Sequence, residues 1–165
     1  MIRCGVEDDL PMLQQLIQRA YRGDSARAGW THEADILDDK RIELSDLQAI
    51  VADPAERLLI AYSDTTQIGC VRIADRGDGL AYLGLLCVDP HLQGGGCGKD
   101  LIAAAERLAR DDFRAHRVEM TVIESRSELI AYYRRRGYIA TKERRDFPVP
   151  LDPPLHMVVL EKPLT

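Results

Sequence analysis

Residues 88–109, VDPHLQGGGCGKDLIAAAERLA, decide how this chain is read, because four of the five positions from 94 to 98 are glycine. Before them the apolar run 80–88, LAYLGLLCV, reads as a buried strand. After them Leu101, Ile102, Ala105, Leu108 and Ala109 share one face of a helix over 99–110. Glycines in that position let the backbone approach a ligand closely. The unpaired first N–H groups of the helix and its dipole then favour an anion, and the natural anion is a phosphate.

Two phosphate-binding templates fail on spacing. A P-loop ending at Gly98-Lys99 needs Gly at 93 and Ser or Thr at 100, where the chain has Gln93 and Asp100. A dinucleotide GxGxxG beginning at Gly94 needs Gly at 99, which is Lys99. That template also belongs near the start of a parallel βαβ unit, whereas antiparallel-looking strands precede this one.

Outward from the glycines, the order of elements is βααβββαβαββ. A strand over 2–6 leads into a helix opened by Asp8 and Asp9, with Leu10, Leu13, Leu16, Ile17 and Ala20 at helical spacing and Pro11 in its first turn. A polar stretch over 21–40 and a short helix over 45–52 follow. Strands over 57–62 and 68–73 are joined by SDTTQ, and RGDG at 76–79 turns the chain into the strand 80–88. Beyond the central helix come a strand over 117–123, a helix over 127–136 ended by Gly137, and strands near 138–141 and 156–161. The proline-rich RRDFPVPLDPP, 144–154, is expected to be an extended loop walling a cleft. This is an α/β (α+β) pattern with a mixed, mostly antiparallel sheet, in one domain spanning 1–165.

Composition narrows the partners. The 165 residues are 45% apolar and 30% charged, which suits a packed soluble core. Lys plus Arg is 22 against 27 for Asp plus Glu, a net charge of 22 − 27 = −5, so no nucleic acid partner is expected. The longest apolar run is about half of the ~18 residues a spanning helix needs, and MIRCGVEDDL lacks the features of a secretory signal. No membrane association or export is expected. Cys4, Cys70, Cys87 and Cys97 lack CxxC spacing, and the four histidines are dispersed. The cysteines read as small core residues of a cytoplasmic protein, and no metal site is expected.

Gln93-x-x-Gly96-x-Gly98, preceded by Val88-x-Pro90, resembles the acyl-CoA pyrophosphate loop of the GNAT superfamily of N-acetyltransferases. AYYRRRGY, 131–138, resembles that family's later helix-to-strand phrase, with Tyr133 four positions before Gly137 and Tyr138 after it. The resemblance implies a GNAT-like sheet and acetyl-CoA (coenzyme A) as cofactor. It also implies transfer of the acetyl group to a primary amine, on a small molecule or a protein, by direct attack in a ternary complex. The alternative is a non-catalytic acyl-CoA-binding domain. Cofactor-binding residues implied are Leu86, Cys87, Val88, Gln93, Gly94, Gly95, Gly96, Cys97, Gly98, Lys99, Arg126 and Tyr133. Arg126 stands where many members carry Asn, and its side chain is long enough to reach a phosphate or a pantetheine carbonyl. Family members are often dimers, so the resemblance allows a homodimer.

Such chemistry requires a deprotonated amine, oriented N–H donors for the oxyanion, and a proton for the departing thiolate. Tyr133 is the candidate acid, since a phenol with a reference pKa of about 10 lies close to a thiol at ~8.5. A packing role for Tyr133 stays open. The family places the oxyanion donor near Leu86–Val88. The 80–88 strand offers no carboxylate or imidazole as base, which leaves water relayed to Glu33, Asp35 or Glu124, with Glu33 first. Trp30 and Glu33 in GWTHEAD line the acceptor pocket if the family pattern holds, or belong to a plain surface loop. Tyr132, about 100° round the helix from Tyr133, reads as a core or surface residue. Cys97 is a reactive thiol at a helix N-terminus or a small residue at a variable position, and the arginines at 134–136 read as a solvated helix face.

Overall fold

The computed structural model describes residues 1–21, 42–92, 95–146 and 156–165. Among these residues seven strands form one sheet in the order β1-β2-β3-β4-β5-β7-β6. The strands are β1 Ile2–Cys4, β2 Glu56–Ser63, β3 Thr66–Gly77, β4 Leu80–Val88, β5 Arg117–Ile123, β6 Ile139–Asp146 and β7 His156–Pro163. Every neighbouring pair is antiparallel except β4 and β5, which run parallel. A parallel pair needs a crossover, and helix α3, Cys97–Asp111, supplies it. Helices α1, Leu10–Tyr21, and α2, Leu44–Ala52, precede β2, and α4, Ser127–Arg135, joins β5 to β6.

Alternation along the strands assigns the faces. On β2, Leu58 and Ile60 pack with Leu10, Leu13, Leu16 and Ile17 of α1 and Leu47 and Ile50 of α2. Leu59 and Ala61 point the other way, into the core that holds Leu101, Ile102, Ala105 and Ala109 of α3. The Gly77–Leu80 hairpin closes through Asp78 (φ 53°) and Gly79 (φ 78°), the positive-φ pair that matches strand twist in a two-residue turn.

The boundaries read from the sequence shift in a few places. β1 is two residues shorter than 2–6, a 3-10 turn at Glu7–Asp9 precedes α1, and β3 extends through Arg76 and Gly77. Residues 144–146, expected in a loop, pair with β7 in β6, because charged side chains on an edge strand hide the β signal; 147–155 lie outside the described residues. Among the described residues no helix is long and apolar enough to cross a membrane, and no group of three His, Cys, Asp or Glu could hold a metal ion.

Asp9 staples the N-terminal end of the sheet. Its carboxylate accepts hydrogen bonds from both Arg3 Nη atoms at 2.9 Å, from Tyr62 Oη at 2.9 Å and from the Val6 N–H at 2.8 Å. These bonds, led by that of Arg3, hold its pKa at about 2, below the usual 3.8, although burial opposes the shift. A depressed carboxylate stabilises the fold above its unfolded pKa and loses that contribution as pH falls through the folded one, here from about 4 to 2. Asp9→Asn should therefore cost up to about 2 kcal/mol at pH 7, and the gap to wild type should narrow to about half by pH 3. Urea unfolding of both proteins at the two pH values measures it, and a gap independent of pH would contradict this role.

Candidate active site

The parallel pair is joined only at its base. The β4–β5 ladder runs from Leu80↔Arg117 through Ala81↔Val118 to Tyr82↔Glu119 and ends there, although β4 continues to Val88 and β5 to Ile123. The strands therefore part towards their C-terminal ends, and the carboxyl ends of parallel strands are where open α/β sheets bind ligands. Tyr82 Oη and Thr121 Oγ1, 2.8 Å apart, bridge the fork near its apex. Glu119 sits beside it, 8% exposed, with Arg145 Nη1 donating at 3.0 Å.

One arm of the fork carries a β-bulge. Between Arg72↔Gly84 and Cys70↔Cys87, Leu85 and Leu86 oppose the single Val71, and Leu85 has φ 53°. A left-handed leucine costs of the order of 1–3 kcal/mol, so its surroundings must hold it. One holding contact is the Cys70 thiol, which donates to the Leu85 carbonyl at 3.4 Å. The extra residue inverts the alternation of β4. Ala81 and Leu83 face α3, whereas Leu85 and Cys87 face α1 and α2.

The glycine turn meets this arm. Gly96 is the N-cap of α3 at φ 88°, a conformation that favours glycine, and a Cβ there would meet no atom of the described residues within 4 Å. The backbone is thus open on its outer side. The N–H groups of Cys97, Gly98 and Lys99 have no acceptor within their own helix. Cys97 is half-buried, with Sγ 3.1 Å from where a Cβ of Gly69 would lie. Burial, and after it the charge of Asp100, raises its pKa, so it is a packed, protonated thiol and not a reactive thiolate. Lys99 is exposed. Gln93 and Gly94 lie outside the described residues.

Helix α4 flanks the other arm. Arg126 is its N-cap, half-buried, and its carbonyl accepts the Ile130 N–H at 3.0 Å. Tyr133 is 7% exposed and packs in the α3-side core with Val88, Met120 and Val122. It also belongs to the helix stop. The Gly137 N–H reaches the Arg134 carbonyl at 3.0 Å, the Tyr138 N–H reaches the Tyr133 carbonyl at 3.1 Å, and the two tyrosine rings meet edge-on at 6.2 Å. That is a Schellman cap with its apolar pair, so the Tyr-x-x-x-Gly-Tyr spacing has a structural cause of its own.

Tyr132, expected as a core or surface residue, is half-buried at the edge of the α3-side core. Its hydroxyl lies 3.0 Å from where a Cβ of Gly98 would stand, and the guanidinium groups of Arg135 and Arg136 lie 6.0 and 5.4 Å from its ring centroid. Tyr132 therefore ties α4 to the first turn of α3, and Arg136 is half-buried, unlike the exposed Arg134 and Arg135. Burial raises the Tyr132 pKa. Glu124 is exposed and paired with Arg144 at 2.8 Å. Trp30, Glu33 and Asp35 lie outside the described residues. The sequence reading passed over Glu119, Thr121 and Tyr82; the signal was two polar residues at alternate positions of VEMTVI, on one face of a strand otherwise apolar.

Solved structures share this fold. The chain is similar to the ribosomal-protein-alanine N-acetyltransferase of Brucella melitensis, with TM-score 0.77, 18% identity and 99% of each chain covered. It is similar to the ribosomal-protein-S18-alanine N-acetyltransferase of Escherichia coli, with TM-score 0.77 and 15% identity over 100% of this chain and 94% of that one. The yncA protein of Salmonella typhimurium, whose structure carries its cofactor acetyl-CoA, aligns with TM-score 0.75 and 16% identity over 100% of this chain and 94% of that one. A search of curated protein sequences gives no significant match. The model of the acetyltransferase (GNAT) family matches residues 10–138, a span that contains the fork, the glycine turn and the Tyr133–Tyr138 cap, and the chain therefore belongs to the GNAT acetyltransferase family.

Proposed function

We propose that this protein is a cytoplasmic, acetyl-CoA-dependent N-acetyltransferase that acylates a primary amine on a small molecule or a protein. The observation that carries the reading is the glycine-capped N-terminus of α3 set at the open end of the β4–β5 fork. The residues fit the cofactor: Gly96 leaves its outer side clear, and the first-turn N–H groups suit a diphosphate. Gln93, Gly94, Gly95, Gly96, Cys97, Gly98, Lys99 and Arg126 would hold the nucleotide end, with Leu86, Cys87, Val88 and Tyr133 along the fork. The thioester supplies an activated acyl group there. The acetyl-CoA in the Salmonella structure and the amine acceptors named for the Brucella and Escherichia proteins support this choice.

In this reading the bulge at Leu85 turns a main-chain N–H near Leu86–Val88 towards the acyl oxygen, where charge develops. Tyr133 holds the proton for the departing sulfur, at the edge of the apolar core that also holds Val88, Met120 and Val122. Glu33 accepts the amine's proton through water. Glu124 is a weaker choice, because Arg144 already occupies its carboxylate.

Two variants test these roles. Gly96→Asp puts a carboxylate where the diphosphate would lie; CoA affinity measured by calorimetry should fall at least about tenfold in a protein that still folds, and unchanged affinity would refute the loop assignment. Tyr133→Phe keeps the ring that packs on Tyr138, and in a protein that still folds kcat should fall by about 10²-fold with little change in KM for acetyl-CoA. An unchanged kcat would leave Tyr133 with its capping role alone.

A further inference from the structure

The mechanism uses neither thiol of the buried pair beneath the bulge. Cys70 on β3 and Cys87 on β4 are direct partners in the antiparallel ladder, and both are reduced. Their sulfurs lie 3.4 Å apart, in the core between the sheet and α1 and α2. Nothing in strand alternation requires this meeting. Ala81 and Leu83 face α3, so an unbroken β4 would carry Cys87 to that face as well; the extra residue at Leu85 returns it to the side of Cys70. The bulge thus does two things: it re-aims the backbone at the fork and it pairs two cysteines.

We propose that Cys70 and Cys87 form a reversible disulfide that disables the acyl-oxygen site. The geometry suits the bond. Opposed residues of an antiparallel ladder have Cα atoms about 4.5–5.5 Å apart, inside the disulfide range of about 4.4–6.8 Å, and the sulfurs need to close by roughly 1.4 Å. The oxidant is hydrogen peroxide, small enough for a site only 5% exposed at Cys87 and fully buried at Cys70. The Cys87 thiolate attacks one peroxide oxygen, the O–O bond breaks, and hydroxide leaves and takes the thiol's proton as water. The Cys70 sulfur then attacks the sulfenic sulfur; the S–S bond forms and a second water departs with the hydroxyl and the remaining thiol proton. Two thiols are oxidised and one peroxide is reduced to two waters. Cys87 reacts first because it is the more exposed and sits where β4 has left its ladder with β5.

The consequence reaches the fork through Leu85. The Cys70 S–H donates to the Leu85 carbonyl, and a disulfide has no such proton. Oxidation removes one of the contacts that hold a left-handed leucine and pulls Cys87 towards β3. The main-chain N–H near Leu86–Val88 then loses its aim. This step rests on the N-acetyltransferase reading, whereas formation of the disulfide does not.

The test treats reduced protein with a small excess of hydrogen peroxide and follows intact mass, peptide maps and acetyl transfer. The expected result is a loss of about 2 mass units with Cys70 joined to Cys87, at least a tenfold fall in kcat, and recovery of both on adding dithiothreitol. Folded Cys70→Ala and Cys87→Ala proteins should each fail to lose the two mass units, while Cys97→Ser should still lose them. Gain of oxygen without a cross-link, or a bond through Cys4 or Cys97, would overturn the proposal. So would a Cys70–Cys87 bond that leaves kcat unchanged. Failure of the reduced protein to bind CoA in calorimetry would count against the proposed function, with the mass result still deciding the disulfide.

Discussion

Everything at this site depends on a parallel pair that is stitched at one end only. Three ladder pairs, ending at Tyr82↔Glu119, hold β4 to β5; past them the backbones separate and α3 has to start from the gap to cross over. That geometry sets the capped first turn of α3 beside the bulged end of β4, where a Cβ on Gly98 would lie 3.7 Å from Val88. A continuous ladder would use the strand donors for pairing and would leave the helix N-terminus facing a closed sheet. The fork is therefore the condition for the acyl-CoA site proposed above.

An open fork needs its arms fixed from outside, and the fold does this with side-chain networks. On the β5 side, Tyr138 Oη donates to Glu106 of α3 at 2.8 Å, and Lys162 of β7 donates to the same carboxylate at 3.0 Å and to the Arg136 carbonyl at 2.8 Å. Burial, followed by the charge of Glu106, keeps the Tyr138 phenol protonated, so it remains a donor. One carboxylate thus ties α3, the end of α4 and β7 together. On the β4 side the fixing is by packing: a Cβ on Gly69 would lie 2.8 Å from the Cys87 carbonyl, and this close approach of β3 supports the bulged strand. Cys70 adds the hydrogen bond to Leu85.

Much of this is legible in the sequence, and the exceptions have physical causes. β4 and β5 begin and end where the apolar run 80–88 and the alternation 117–123 place them, and the glycine turn sits between strand and helix as its composition implies. Local chemistry specifies such elements. The bulge is not legible, because LAYLGLLCV presents one continuous apolar run and the residue with positive φ is Leu85, not the adjacent Gly84. The insertion of β7 between β5 and β6 is a property of the assembled sheet. Tyr132 and Tyr133 show the same limit. Helical geometry separates their directions, yet the approach of Tyr132 to Gly98 depends on how α4 meets the first turn of α3.

The central claim is that CoA occupies the fork, with its diphosphate on the α3 cap and its acyl end along β4. Amide hydrogen exchange of the wild-type protein with and without saturating CoA tests this residue by residue. Slower exchange is expected at residues 95–99 and 86–88, with α2, on the opposite face of the sheet, unchanged. Protection confined to other segments, with the α3 cap and the end of β4 exchanging as in the free protein, would contradict it.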